Sequence, residues 1–154
     1  MTLVENTFIG EYNYSIDSKG RLNIPSRFRK SLSKKDANTF VITKGLDPCI
    51  WVYPLTEWLK IENNLRNLSS VKNINRTFVR HTTRYASSST YDKQGRVLLT
   101  PSLVNYAGIN KEVLIIGAIR KIEIWNPGKL LEVDKQNLKI GQDAYDDLAD
   151  KITL

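Results

Sequence analysis

A chain of 154 residues with 41% hydrophobic and 25% charged side chains has the composition of an ordinary globular protein, long enough to bury a core and too apolar to stay disordered. Its net charge of +7 is concentrated early: residues 1–100 hold 16 Lys/Arg against 8 Asp/Glu, whereas residues 101–154 hold 7 against 8. One cysteine, Cys49, and one histidine, His81, exclude an internal disulfide and a Cys/His metal site, and no apolar run approaches the ~18 residues of a membrane span.

The opening MTLVENTFIG shows no basic region followed by an apolar one, so no secretion signal is expected. Tyr12, Tyr14 and Ile16 then alternate with polar residues, the period of a half-buried strand. Asp17 to Gly20 has the chemistry of a type I turn. Asp at the first position accepts a bond from the backbone two residues on, and Gly at the fourth supplies a positive φ. Arg21-Leu22-Asn23-Ile24 resumes the strand, and Pro25 opens a short helix. Between positions 19 and 35 lie seven basic residues and no acid: Lys19, Arg21, Arg27, Arg29, Lys30, Lys34 and Lys35. A polyanion is the natural partner of such a stretch. Phe40-Val41-Ile42 and Ile50-Trp51-Val52-Tyr53-Pro54 predict a hairpin around Gly45.

Trp58, Ile61, Leu65 and Leu68 recur at helical spacing, with Thr56 as the candidate cap, until Ser69-Ser70 interrupts them. A second helix over roughly 75–85 carries Phe78 and sets Arg76, Arg80 and Arg84 in a line at i, i+4, i+8. Further on, Asp92 to Gly95 predicts a second tight turn, Arg96-Val97-Leu98-Leu99 a strand, and Thr100-Pro101-Ser102 a capped helix start. Val113-Leu114-Ile115-Ile116 and Ile122-Glu123-Ile124-Trp125 predict another hairpin, with Gly117 in its turn. The tail is helical and acidic, with Asp143, Asp146, Asp147 and Asp150.

The two halves repeat each other at a period of about 75 residues. Asp17-Ser18-Lys19-Gly20-Arg21-Leu22 aligns with Asp92-Lys93-Gln94-Gly95-Arg96-Val97, and a proline comes soon after in each, Pro25 and Pro101. An apolar run, a glycine and an Ile/Trp segment with a nearby proline then recur in the same order, the mark of a duplicated unit. The resulting organisation is a first unit at 11–57, linker helices at 58–85, a second unit at 86–129 and a helical tail at 130–154. The expected class is mainly β with helices (α+β).

Little in the chain points to catalysis. His81 lies in the basic helix with no nucleophile motif around it, Cys49 is about to enter an apolar strand, and no phosphate-binding glycine loop is present. The two Asp-x-x-Gly-Arg loops are the better candidate site. Asp17, Gly20, Asp92 and Gly95 are expected to shape the turns, and Lys19, Arg21, Lys93, Arg96, Arg27 and Arg29 to meet nucleic acid. A two-stranded ribbon enters the major groove, arginine's fork suits a guanine edge, and lysine offers a point charge to phosphate.

DSKGRLNIP and DKQGRVLLTP, together with WLKIENNLRNLSS and NRTFVRHTTRYA between them, resemble the two halves of the MraZ family within the SpoVT/AbrB-like superfamily. The resemblance covers nearly the whole chain. It implies a tandem-duplicated, swapped-hairpin double-split β-barrel, a ring-shaped homo-oligomer, and transcription control in the cytoplasm at the nucleoid. The implied target is double-stranded DNA with short repeated promoter sequences upstream of the division and cell-wall gene cluster. Carried over by motif position, the DNA contacts fall on Lys19 and Arg21, with Arg96 as the counterpart in the second loop. Gln94 stands where the first loop has Lys19, so the first loop is expected to contribute more. No cofactor, metal, membrane or small-molecule ligand is implied. The rival class is an antitoxin-like or scaffolding protein-interaction ring whose basic face meets an acidic partner. RNA binding is weaker, since the aromatic residues alternate with strand polars and form no stacking platform.

Overall fold

The computed structural model describes residues 4–154; the first three residues of the segment tested for a secretion signal lie outside it. Among the described residues, two sheets and five α-helices make an α+β fold. The larger sheet runs in the order β1 (Phe8–Ser15), β7 (Glu112–Ile119), β8 (Ile122–Trp125), β4 (Ile50–Pro54), β3 (Thr39–Lys44), β5 (Ser87–Thr90). The smaller sheet pairs β2 (Arg21–Asn23) with β6 (Arg96–Leu98), and every neighbouring pair in both sheets is antiparallel.

This order carries the duplication into space. Each repeat contributes a leading strand, a turn, a short strand, a helix and a hairpin. The helices are α1 (Ser26–Ser31) and α4 (Pro101–Tyr106), the hairpins β3–β4 and β7–β8. The leading strands are exchanged. β1 of the first repeat pairs with β7 of the second across eight residues, and β5 of the second pairs with β3 of the first. Exchanging the repeats reverses the strand order of the large sheet and leaves it unchanged, so the halves are related by a local twofold. The core is shared accordingly. Leu22, Ile24, Phe28, Phe40 and Ile42 are buried in one cluster with Val97, Leu99, Leu103, Val113 and Ile115. Neither half can cover its apolar face without the strand lent by the other.

Two expectations change. Gly117 is not in the turn between β7 and β8 but inside β7, opposite Gly10 of β1. A Cβ there would lie 2.4 Å from the Phe8 carbonyl carbon and the Ile9 nitrogen, so the glycine permits a close backbone crossing of the exchanged strand; the chain reverses at Arg120-Lys121 instead. Thr56 does not cap the linker helix α2 (Leu55–Arg66) with its own side chain. The buried Asp36 does so from a distance in sequence, accepting from Thr56 N at 2.8 Å and Thr56 Oγ1 at 2.7 Å. The same carboxylate accepts from Ser33 N and Ser33 Oγ. Burial alone would raise the Asp36 pKa, but the bonds from Thr56 and Ser33 outweigh it and hold the group below its ordinary value.

Trp58 of α2 packs on Tyr53 and Val41, forming a second, smaller apolar cluster. The second linker helix, α3 (Asn73–Thr83), buries no residue and is tied to the sheet where Thr43 Oγ1 donates to the Thr82 carbonyl. Thr100 caps α4 as expected, accepting from Leu103 N. The tail is one long helix, α5 (Pro127–Ile152), capped by Asn126 and bent at Gly141. No helix among the described residues is long and apolar enough to cross a membrane.

Candidate nucleic-acid interface

The two Asp-x-x-Gly-Arg loops are built alike, bond for bond. Gly20 N donates to the Asp17 carbonyl at 3.0 Å and Gly95 N to the Asp92 carbonyl at 2.9 Å, closing each turn. Both glycines sit in the left-handed region, with φ of 80° and 79°. Each aspartate side chain then orders the backbone up to its arginine. Asp17 Oδ1 accepts from Lys19 N at 2.9 Å and Arg21 N at 2.8 Å, and its Oδ2 accepts from Arg21 Nε at 2.6 Å. Asp92 accepts from Gln94 N, Arg96 N and Arg96 Nε, each at 2.9 Å. The bonds from the Arg21 and Arg96 backbone do most to lower the two carboxyl pKa values, with the guanidinium groups adding to them. Aspartate is thus both turn-former and arginine clasp, which short side-chain reach and a four-residue separation make possible.

The β2–β6 ladder sets the loops side by side. Arg21 pairs in register with Leu98, and Arg96 with Asn23. Each loop also holds the other's strand end: Gly20 O accepts from Leu99 N at 2.8 Å, and Gly95 O accepts from Ile24 N at 2.9 Å. Arg96 Nη1 lies 3.9 Å from Asp17 Oδ2, so one aspartate faces both arginines. The guanidinium groups lie at the surface rather than in the core, with side-chain exposures of 36% for Arg21 and 23% for Arg96. Only Nε of Arg21 is engaged; its two Nη groups have no hydrogen-bond partner among the described residues, which leaves its fork open outward. Lys19 and Lys93 are exposed at the tips.

Arg27 and Arg29 part company on α1. Two residues apart on a helix, they point to different sides. Arg27 is exposed, whereas Arg29 is half-buried, donates from Nε to the Ile24 carbonyl at 2.9 Å, and lies over the Tyr91 ring at 5.6 Å. It also fills the space a side chain at Gly95 would need, with Cζ 2.5 Å from the position of that Cβ. The structure therefore makes Arg29 a brace for the second loop. Sequence reasoning missed this role and the Asp17–Arg96 proximity, because both arise from the pairing of β2 with β6 and no local pattern encodes them.

His81 is exposed on α3. Cys49 is fully buried, and desolvation, aided by Glu123 and Asp47, pushes its thiol pKa far up, so no thiolate nucleophile forms.

Comparison with known proteins finds relatives over most of the chain. Residues 7–81 and 83–136 match the model of the family described as "MraZ protein, putative antitoxin-like". The chain belongs to the MraZ family. A relative from Clostridium acetobutylicum is 44% identical over 131 residues, covering 85% of this chain and 89% of the relative. One from Pediococcus pentosaceus is 41% identical over 145 residues, covering 94% and 96%. A third, from Clostridium tetani, is 40% identical over 146 residues, covering 95% and 96%. All three are named "Transcriptional regulator MraZ", a regulator's name and not an enzyme's.

Proposed function

We propose that this MraZ-family chain is a transcription regulator that binds duplex DNA sequence-specifically through its paired Asp-x-x-Gly-Arg loops. The observation that carries the reading is the juxtaposition of the loops on one ladder, each holding an arginine in a fixed orientation at the surface. A clasped guanidinium loses little rotamer freedom on binding, and its free Nη edge is shaped for a guanine O6/N7 pair. Arg21 is the principal reader, since it is more exposed than Arg96 and is not shared with a second carboxylate. Lys19, Lys93 and Arg27 supply phosphate contacts, and Arg29 supports the second loop. The regulated DNA carries short repeated promoter sequences at the division and cell-wall gene cluster, and a ring of copies in the cytoplasm at the nucleoid engages successive repeats. Such a ring turns one weak, salt-sensitive contact into avid binding through effective concentration.

The test is binding to the promoter DNA of the chain's own gene neighbourhood, measured by anisotropy at two salt concentrations. Arg21→Ala should weaken binding by ~1–3 kcal/mol, about 5- to 150-fold, with the fold intact. Part of that loss comes from Asp17, whose charge is then offset by the more distant Arg96 alone. Arg96→Ala should cost less. Wild-type affinity in Arg21→Ala overturns the site; a larger loss in Arg96→Ala overturns the ranking. The family description favours one rival, an antitoxin-like partner-binding ring. An acidic protein retained from nuclease-treated lysate at high salt, by a chain that shifts no promoter DNA, would favour that rival.

A further inference from the structure

Two unpartnered apolar surfaces of this chain complement each other. The first is a groove of about 380 Å³ between α2, α3 and the face of β3–β4, whose walls include Trp51, Trp58, Ile61, Leu65, Ile74 and Phe78. Its outer wall is open to solvent: Ile74 is 71% and Phe78 49% exposed. Groove residues on α2 and α3 recur at three- and four-residue spacing over about two turns, leaving a trough roughly 12 Å long. Its surroundings are basic. Helix α3 carries Arg76 and Arg80 and no acid, Arg84 comes directly after it, and Lys121 Nζ sits 4.4 Å from the Trp51 ring centre. Of the acids beside the groove, Glu57 and Glu62 of α2 are paired with Lys60 and Arg66, Glu123 is held by the indole N–H groups of Trp51 and Trp125, and Asp47 follows Leu46 at one end.

The second surface is the outer half of α5. No α5 residue is buried, although Leu138, Tyr145, Leu148 and Ile152 form a stripe at seven- and three- to four-residue spacing. Beyond the bend at Gly141 that stripe is about two to three turns long, matching the trough. The opposite face is acidic, with Asp143, Asp146, Asp147 and Asp150 against Lys151 alone. A helix with one apolar face and an acidic back is the shape and charge that a basic-rimmed apolar groove accepts. Pairing two such helices with each other would leave the groove uncovered.

We propose that the outer half of α5 from one copy lies in the α2–α3 groove of the next copy. The contact is head-to-tail, because donor helix and acceptor groove are different surfaces, and repetition of such a contact closes rings when the rotation permits. It rests on the ring in the proposed function and names the surfaces that make it.

The test uses the full chain. Leu148→Cys and Phe78→Cys, combined in one chain, should give a ladder of disulfide-linked multimers on a non-reducing gel, while each single variant gives none. Buried Cys49 does not compete. Leu148→Asp should bring the mass in light scattering down to the 17.6 kDa of one chain. Its circular dichroism and its binding to a single DNA site should not change, since α5 is outside the core. Linkage by Leu148→Cys alone, or an internally linked monomer from the double variant, overturns the proposal in favour of α5 pairing or self-docking. A wild-type oligomer with no ladder overturns the proposal and spares the ring; a monomeric wild type overturns both.

Discussion

The two turn glycines share one backbone conformation and differ in their surroundings, so alanine at each should be penalised by a different mechanism. Gly20→Ala costs about 1–2 kcal/mol for a side chain at positive φ. Its Cβ would also lie 2.6 Å from the Leu99 carbonyl oxygen. That oxygen is backbone at the end of β6 and cannot rotate away. Relief requires pulling the loop from the strand and weakening the Gly20 O···Leu99 N bond, about 1 kcal/mol more. The sum is about 2–3 kcal/mol, or a Tm lowered by roughly 4–12 °C in a chain of this size. In Gly95→Ala the obstacle is the Arg29 guanidinium, the end of a flexible side chain. Alanine displaces it and sacrifices its bond to Ile24 and its contact with Tyr91, for a total, backbone cost included, of about 3 kcal/mol. Urea denaturation of both variants, each repeated in an Arg29→Ala background, separates the mechanisms. There the Gly95→Ala penalty should fall to the backbone cost of about 1–2 kcal/mol, with the Gly20→Ala penalty unchanged. The reasoning fails if the two penalties respond alike to loss of Arg29.

Asp36→Asn keeps the size of the side chain but turns one acceptor into a donor facing the Thr56 or Ser33 groups; a loss of about 2–3 kcal/mol is expected in urea denaturation. Acid should act through the same residue and through both clasps. Asp17, Asp36 and Asp92 have folded pKa values below the unfolded range, so their stabilisation is present above about pH 5. It is lost as pH falls through the folded values, and Tm measured from pH 6 to pH 3 should drop most steeply below pH 4. A flat profile across that window would show that the carboxylates are not differentially bonded in the native state.

How local an interaction is decides whether the sequence discloses it. Asp17, Gly20, Asp92 and Gly95 were legible because every bond that shapes these turns spans four residues or fewer. Helix α4 was legible through Thr100 and Pro101 for the same reason. The pairing of β1 with β7 was not, since nothing in Phe8–Ser15 tells which strand it will meet; the exchange was expected from the family resemblance alone. Gly117 misled because a glycine between apolar runs has the same local look in a turn as at a close strand crossing. Thr56 misled because its neighbourhood suits a cap, whereas the acceptor is Asp36, twenty residues before it in the chain.

The clasp also divides labour among the cations under the proposed function. An Asp–Arg pair is close to neutral overall, so Arg21 and Arg96 contribute orientation more than long-range attraction. The field that draws DNA inward comes from Lys19, Lys93, Arg27 and the remaining unclasped basic residues before position 36. Loss of one of these lysines should therefore reduce the slope of log affinity against log salt by roughly 0.9 and weaken all sequences alike. Loss of Arg21 uncovers the Asp17 charge and so should lower the slope as well, but it should in addition narrow the gap between operator and random DNA, which loss of a lysine does not. The aspartate makes this separation possible: it holds the fork rigid and cancels its charge at a distance, leaving the outer Nη edge to act only at contact.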